Sequence, residues 1–182
     1  MLPLFLIGFM GTGKSTLGRA LAADGFAPYI DLDDYIEEHE SMSINGIFAS
    51  AGEAGFREIE ARALRRVAVS DNVIVGCGGG TPCYSGNMEW MNRRGITVCL
   101  RASHEVLLRR LSQAQQQRPL LRGMTREQLS EYIRIKQLER EPYYGKARIS
   151  FPSDRLEIVE EIADSCRDFK ESVGGLYLPE YD

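Results

Sequence analysis

The sequence contains no long apolar run. A helix that crosses a membrane needs about 20 consecutive, mostly apolar residues, and no stretch of this chain approaches that length. The apolar segment near the N-terminus, residues 4–7, is short and has no basic leader before it. We therefore expect neither a membrane span nor a signal peptide.

Cysteine is scarce and is not arranged as a metal site. None of the four cysteines belongs to a C-x-x-C pair or to the spacing of a zinc site. They are Cys77, Cys83, Cys99 and Cys166. We interpret them as reduced thiols, which predicts a cytoplasmic protein.

A surplus of basic residues is also missing. Lys and Arg number 22 against 26 Asp and Glu, so nucleic-acid binding would need a local basic patch that the overall balance does not indicate. The 182 residues, 43% apolar and 26% charged, have the size and composition of one globular domain. No repeat or linker divides the chain. We expect a single domain over residues 1–182, a monomer, and no nucleic-acid or membrane partner.

The most informative segment that is present is residues 8–16, Gly-Phe-Met-Gly-Thr-Gly-Lys-Ser-Thr. It lies between an apolar strand pattern and a helical pattern, and it fits G-x-x-x-x-G-K-[ST], the phosphate-binding P-loop. Its glycines let backbone N–H groups converge on a phosphate at the start of a helix. Lys14 is the expected partner of the β- and γ-phosphates, and Ser15 the expected Mg²⁺ ligand. The alternative is a glycine-rich turn that carries Lys-Ser by chance. It would not explain why a strand pattern precedes the segment and a helical pattern follows it.

Strand and helix patterns alternate along the rest of the chain, which predicts a parallel sheet covered by helices on both faces. Predicted strands are residues 4–7, 29–30, 73–75, 96–100 and 149–151. Predicted helices after the first one are residues 34–38, 44–51, 53–69, 87–93, 103–111, 125–139 and 156–169. Gly174-Gly175 end the last helix and leave a short tail that we expect on the surface.

Asp31-Leu32-Asp33-Asp34 lies at the carboxyl end of a predicted strand, the edge where open parallel sheets bind ligands. A P-loop enzyme needs one carboxylate near the magnesium shell and another to receive a proton from an attacking hydroxyl. Asp31 and Asp33 alternate along an extended chain, so both can point into one cleft. Alternatively, Asp33 or Asp34 simply caps the next helix.

Two further clusters are candidates for a ligand site. Arg57 and Glu60 are three apart on one helical face, so the guanidinium is preorganised to grip a carboxylate, unless the two form only a solvated pair. Gly78-Gly79-Gly80 follows a buried strand and indicates close approach of a ligand or tight backbone packing.

Residues 113–123 break all periodicity, and we interpret them as a mobile flap between two helices. Arg118 within it is a candidate for an arginine that closes onto the transferring phosphoryl group. Surface solvation is the alternative for this arginine, and the residues alone leave Arg140 unassigned. A capping box at residues 125–128 starts the helix that follows.

These motifs occur together in a recognisable order. The P-loop, Asp31-x-Asp33, Phe56-Arg57-x-x-Glu60, Gly78-Gly79-Gly80, Arg118-Pro119-Leu120-Leu121 and Arg140-x-Pro142-x-Tyr144 resemble the shikimate kinase family over nearly the whole chain. The resemblance implies a three-layer α/β/α P-loop fold with a five-stranded parallel sheet of the nucleoside-monophosphate-kinase type. It also implies a substrate-binding subdomain at about residues 33–61 and a lid at about 112–124. The implied reaction is phosphorylation of the shikimate 3-hydroxyl by ATP.

The resemblance also implies individual roles. The implied catalytic residues are Lys14, Asp33 and Arg118, and Asp33 would orient or deprotonate the hydroxyl. Mg²⁺ falls to Ser15, and to Asp31 through water. ATP contacts are implied for Gly11, Thr12, Gly13, Lys14, Ser15, Thr16 and Arg118, with Arg110 and Arg155 beside the adenine. Shikimate contacts are implied for Asp33, Arg57, Gly78, Gly79, Gly80 and Arg140.

Three features depart from the usual pattern of the family: Cys77, the additional charge of Asp34, and the glutamine-rich entry to the lid. Two rival functions stay open. A gluconate-type kinase also needs arginines for a carboxylate, although Asp31-x-Asp33 with the triple glycine favours shikimate. A regulatory nucleotide-binding domain that hydrolyses ATP slowly would need no such arginines.

Overall fold

The structure is a computed structural model that describes residues 1–175. Five parallel strands form one sheet in the order β2-β3-β1-β4-β5. Their bounds are β1 Leu4–Ile7, β2 Tyr29–Asp31, β3 Ile74–Gly76, β4 Ile96–Arg101 and β5 Ile149–Pro152. The predicted parallel sheet is confirmed. The surface position expected for the tail concerns residues 176–182, which lie outside the described part.

Helices cover both faces of the sheet. Their bounds are α1 Lys14–Ala23, α2 Leu32–Glu40, α3 Ile44–Val67, α4 Asn87–Arg94, α5 His104–Gln113, α6 Arg126–Tyr144 and α7 Val159–Gly174. Successive side chains of a strand point to opposite faces. Accordingly, Leu4 and Leu6 of β1 pack in the core with α1 and α7, whereas Phe5 and Ile7 pack in the core with α2–α6. Because β1 is buried on both faces, it is apolar throughout, as parallel strands are.

The sheet order places the P-loop at the centre of the molecule. β1 pairs with β3 on one side and with β4 on the other, so the loop that leaves β1 lies between the loops that leave its neighbours. The carboxyl ends of the strands therefore bring together residues 8–16, 31–34 and 77–80, which the chain separates.

Helix α3 bends at Gly52, where the backbone leaves the helical region with φ of 68° and ψ of −176°. That conformation is one that glycine adopts readily and other residues rarely adopt. The bend confirms the prediction of two helical segments, residues 44–51 and 53–69, except that the second ends at Val67.

Some predicted boundaries were wrong. Helix α2 begins at Leu32 and is capped by Asp31, which accepts from the Asp33 amide at 3.2 Å, so neither Asp33 nor Asp34 is the cap. Helix α6 continues past Pro142 to Tyr144, because the Tyr144 ring is buried and its hydroxyl holds that turn against Gly79. Helix α7 begins at Val159, since Leu156 instead packs beneath the P-loop next to Gly13.

Candidate active site

The P-loop glycines are needed for its shape. Gly8, Gly11 and Gly13 have φ values of 135°, 82° and 88°, and a Cβ at Gly8 would lie 2.5 Å from the Leu100 carbonyl oxygen. Thr12 is buried, and its hydroxyl closes the loop onto the Phe9 carbonyl at 2.8 Å. Helix α1 then starts at Lys14, so its first amide groups lack partners within the helix and favour an anion.

Lys14 lies across the mouth of this loop. Its Nζ donates to the carbonyls of Gly8 at 2.8 Å and Phe9 at 2.9 Å. Burial lowers the pKa of Lys14 to about 8, an effect that the neighbouring Asp33 opposes and Arg118 reinforces. A phosphate next to this ammonium would favour its charged form.

Asp31 links three structural elements. Its Oδ2 accepts from the Ser15 hydroxyl at 2.9 Å and from the Tyr29 hydroxyl at 3.0 Å, while Oδ1 caps α2. Asp31 and Ser15 therefore present oxygen ligands at one point beside the P-loop, an arrangement that suits a hard cation.

Asp33 faces the same cavity from the first turn of α2 and not, as predicted, from an extended chain. Burial raises the pKa of Asp33 to about 6, helped by Asp31 and Glu60 and opposed by Lys14. Such a carboxyl group can accept a proton near neutral pH. Asp34 points elsewhere: its exposed side chain pairs with Arg19 at 3.5 Å.

Arg57 and Glu60 form a buried pair. Arg57 Nη1 donates to Glu60 Oε2 at 2.8 Å, and the Glu60 side chain is 1% exposed, so the alternative of a solvated pair is wrong. The guanidinium carbon lies 4.0 Å from the centre of the Tyr84 ring. Arg57 Nε is buried without a hydrogen-bond partner in the described part of the chain.

Residues 78–80, called here the glycine loop, lie between the P-loop and the two candidate carboxylate-binding arginines, Arg57 and Arg140. A Cβ at Gly79 would lie 2.8 Å from Arg140 Nη1, and one at Gly80 would lie 2.8 Å from Arg57 Nη2. Arg140 Nη1, like Arg57 Nε, is buried and has no hydrogen-bond partner among residues 1–175. One unpartnered nitrogen on each of two guanidinium groups, both beside bare backbone, points to a missing anion, because buried N–H groups are costly to leave unpaired.

A cavity of about 540 Å³ joins these parts. The predicted site residues that line it are Gly11, Gly13, Lys14, Ser15, Thr16, Asp31, Asp33, Gly78, Gly79, Arg110 and Arg118. Thr12 lies behind the loop, and Gly80, Arg57 and Arg140 adjoin the cavity through the glycine loop. Cys77, the residue that departs from the family pattern, is buried in the cavity floor, and burial raises the pKa of its thiol.

The structure treats the two predicted adenine neighbours differently. Arg110 borders the cavity and is fixed by the carbonyls of Gly11, Ser153 and Asp154 at 2.8–3.1 Å. Arg155 does not line the cavity: its side chain is exposed and pairs with Asp164 at 3.0 Å.

The segment predicted as the lid, residues 112–124, carries more local order than its sequence predicts. It contains two short 3₁₀ turns, Gln115–Gln117 and Pro119–Leu121. Gln115 Nε2 donates to the carbonyls of Leu121 and Met124, both at 2.7 Å, and the Leu121 side chain is fully buried. Arg118 lies between the two turns and faces the cavity.

Sequence reasoning missed three residues of the site. Thr81 donates to Glu60, Asn87 donates to the Thr81 carbonyl, and Tyr144 donates to the Gly79 carbonyl. Thr81 and Asn87 carry no motif signal, whereas Tyr144 belongs to the Arg140-x-Pro142-x-Tyr144 motif, which by itself predicts no role for the tyrosine.

Residues 1–175 lack two features that would indicate another kind of protein. No helix there is both long and apolar enough to span a membrane. The same residues contain no cluster of three or more His, Cys, Asp or Glu side chains arranged as a metal site.

Fold and site together define a P-loop kinase: a phosphate-binding loop and a buried carboxyl group share one cavity, and two arginines suited to an anionic acceptor lie against the glycines that border it. The sequence profile of shikimate kinase matches residues 10–170. The chain belongs to the shikimate kinase family, which confirms the resemblance, and it is an ATP-using kinase.

Named relatives agree over the whole domain. A shikimate kinase of Bacteroides thetaiotaomicron is 46% identical over 172 residues, covering 94% of this chain and 98% of the relative. The crystal structure of shikimate kinase from that organism gives a TM-score of 0.91 at 43% identity, over 95% of this chain and 98% of the other. A shikimate kinase from Acinetobacter baumannii, in complex with shikimate, gives 0.81 at 26% identity, over 98% and 96%. The predicted fold is confirmed.

Proposed function

We propose that this enzyme transfers the γ-phosphate of ATP to the 3-hydroxyl of shikimate, giving shikimate 3-phosphate and ADP on the route to chorismate and the aromatic amino acids. One observation carries the proposal. The P-loop, the buried Asp33 carboxyl group and two arginines with unpartnered N–H groups converge on the two sides of a single glycine loop. ATP and an anionic acceptor therefore have adjacent sites.

Arg57 and Arg140 would bind the shikimate carboxylate, and the Gly78–Gly80 backbone would approach the ring. A side chain at Gly79 or Gly80 would displace one of these guanidinium groups, which explains why bare backbone is needed there. The carboxylate would supply the missing acceptors for the buried N–H groups, in charge-assisted hydrogen bonds.

Asp33 would hold the 3-hydroxyl and take its proton. As the hydroxyl oxygen forms its bond to the γ-phosphorus, the bond from that phosphorus to the β,γ-bridging oxygen breaks and ADP leaves. The hydroxyl proton moves to Asp33, whose pKa of about 6 lets it act as a base at neutral pH.

The P-loop amides and Lys14 would hold the phosphates and stabilise charge as the γ-phosphoryl group moves. Arg118 would approach the same group from the lid, and Arg110 would border the nucleotide. The Arg155 side chain points away from the cavity, so nothing in the geometry supports its predicted ATP contact.

Magnesium would be held by Ser15 and, through water, by Asp31. The donors fit: both are oxygen atoms, they lie 2.9 Å apart beside the P-loop, and Mg²⁺ commonly uses few protein ligands together with substrate phosphates. When bound, the ion neutralises charge on the phosphates. Asp31 itself keeps Ser15 oriented toward the phosphate site.

We also propose the organisation of the enzyme. Residues 33–61 would form the shikimate-binding subdomain and residues 112–124 the lid of one domain. Each proposed site residue comes from this one chain, which is compatible with a monomer. Four free thiols and a need for ATP fit the cytoplasm, and neither nucleic acid nor membrane has a role in the reaction.

A coupled assay of ADP release tests the proposal. It compares shikimate, quinate, gluconate and nucleoside monophosphates at equal concentration with ATP and Mg²⁺. We expect shikimate to give the fastest ADP release by a wide margin. Faster ADP release with gluconate than with shikimate would support the rival sugar-acid kinase. ADP release that is equally fast with and without an acceptor would support the regulatory nucleotide-binding domain.

A further inference from the structure

We propose that Thr81 is a positioning residue for the acceptor site: acting through Glu60, it holds Arg57 in the orientation that receives the substrate carboxylate. This inference rests on the function proposed above.

The contacts form a continuous buried path. Thr81 Oγ1 donates to Glu60 Oε1 at 2.5 Å, and Glu60 Oε2 accepts from Arg57 Nη1 at 2.8 Å. Thr81 is fully buried, and Glu60 is 1% exposed. Each carboxylate oxygen therefore has its own donor, and the plane of the carboxylate is defined from both sides.

Thr81 is itself firmly held. It opens the 3₁₀ turn Thr81–Cys83, and its amide donates to the Gly78 carbonyl at 3.1 Å. Its carbonyl accepts from Asn87 Nδ2 at 3.0 Å, and Asn87 Oδ1 accepts from Arg65 Nη1 at 2.9 Å. The path thus links the start of α4 and the end of the glycine loop to the substrate-facing arginine.

Other contacts of Arg57 do not fix its orientation equally well. Glu53 lies 3.4 Å from Nη2 and is more than half exposed, so solvent screens that pair. Tyr84 offers a ring face, over which a guanidinium can slide. Nε has no partner in the described chain. The orientation of Arg57 therefore depends mainly on Glu60. The orientation of the Glu60 carboxylate depends in turn on Thr81, which donates to the oxygen that does not face Arg57.

The test replaces the hydroxyl with a methyl group in Thr81→Val. Without the donor, one buried oxygen of Glu60 loses its hydrogen bond, and the carboxylate turns to recover one. We expect the KM for shikimate to rise about tenfold, in line with the loss of one hydrogen bond to a charged group. The KM for ATP should not change, and kcat should stay within about twofold. Thr81→Ser restores the hydroxyl and should restore the KM.

A second measurement separates positioning from general destabilisation. The wild-type enzyme and Thr81→Val are each compared on shikimate and on its uncharged methyl ester. If Arg57 is misoriented, the preference for the carboxylate falls in the variant. A loss that is equal for acid and ester would overturn the proposal, as would an unchanged KM. Thr81→Ala serves in the same assays if Thr81→Val does not fold.

Thr97→Val is the matched control. Thr97 is also fully buried and donates to a side-chain oxygen, Asn92 Oδ1, at 2.6 Å, but it lies in β4 and outside the cavity. It should lower thermal stability and leave the KM for shikimate unchanged. A wild-type enzyme that does not phosphorylate shikimate refutes the proposed function, whereas an active wild type with normal Thr81→Val kinetics refutes only the role of Thr81.

Discussion

The Ser15 hydroxyl donates to Asp31 Oδ2 at 2.9 Å, which ties the first turn of α1 to the end of β2. The same carboxylate accepts from Tyr29 and caps α2. One side chain thus organises three elements around the point where a cation and the phosphates would meet. A hydroxyl that is already oriented needs little rearrangement to become a ligand.

Asp31→Asn should raise the Mg²⁺ concentration that gives half-maximal rate, by about tenfold, because a neutral amide attracts the hydrated ion less strongly. The fold should survive, since asparagine caps helices as well as aspartate does. Rate is measured against free Mg²⁺ at saturating ATP and shikimate. Asp34→Asn, at an exposed carboxylate outside the cavity, is the control. Equal Mg²⁺ curves for wild type and Asp31→Asn would remove Asp31 from the cation site.

Arg57→Lys keeps the charge but loses the planar pair of donors. We expect shikimate binding to weaken by about 2 kcal/mol or more, as for a desolvated hydrogen bond to a charged group, while ATP affinity stays nearly unchanged. Isothermal titration with each ligand separately measures both. Equal weakening for the two ligands would show that the Arg57–Glu60 pair is only structural.

The pH profile should reflect two perturbed groups. Since the pKa of Asp33 is about 6, kcat/KM for shikimate should fall below that pH as the base becomes protonated. Since the pKa of Lys14 is about 8, kcat/KM for ATP should fall above that pH as the free enzyme loses its ammonium. Asp33→Asn should abolish turnover. Full activity at pH 5 would exclude Asp33 as the proton acceptor.

Asp33 should also make stability depend on pH. Its pKa is higher in the folded chain than in the unfolded one. The free energy of unfolding therefore contains a favourable contribution from Asp33 that is complete below about pH 4 and is lost as the pH rises through about 6. At pH 7.5, Asp33→Asn should therefore unfold at a higher temperature than wild type, with a gain on the order of 1–3 kcal/mol. Calorimetry at pH 4 and 7.5 measures this difference. A gain of equal size at both pH values would show that the titration of Asp33 is not its cause.

Arg118→Ala should lower kcat strongly and leave shikimate binding without nucleotide intact, because the role proposed for its guanidinium begins only when the proposed lid closes over ATP. Trypsin should cut the free enzyme after Arg122, since Pro119 blocks cleavage after Arg118, and ATP with shikimate should slow that cleavage. Leu121 and Gln115 anchor the base of the lid, so the free lid should open as a unit. Cleavage that is equally slow with and without ligands would mean a fixed loop.

The sequence predicted those parts of the site that depend on local chain geometry. The P-loop and the break at Gly52 could be predicted because a few neighbouring residues determine each backbone conformation. Asp31, Asp33 and the glycine loop were legible because parallel strands end at one edge of the sheet.

Contacts between distant segments could not be predicted in the same way. The Thr81–Glu60 hydrogen bond joins residues 21 apart, and nothing in either neighbourhood specifies the other. Asp31 as the cap of α2 depended on a boundary shift of two residues, which local pattern does not resolve. The outward direction of Arg155 depends on Asp164, one helix later in the chain.

Analysis of both products in one reaction mixture tests most directly the claim that the enzyme phosphorylates shikimate. The enzyme is incubated with ATP, Mg²⁺ and shikimate, and ADP and the phosphorylated product are followed together by phosphorus and proton NMR. We expect one equivalent of shikimate 3-phosphate for each ADP, and neither product from a folded Lys14→Ala variant, since Lys14 is the cation that the P-loop itself holds. ADP release without phosphorylated shikimate, or near-normal turnover by Lys14→Ala with an unchanged circular dichroism spectrum, would contradict it.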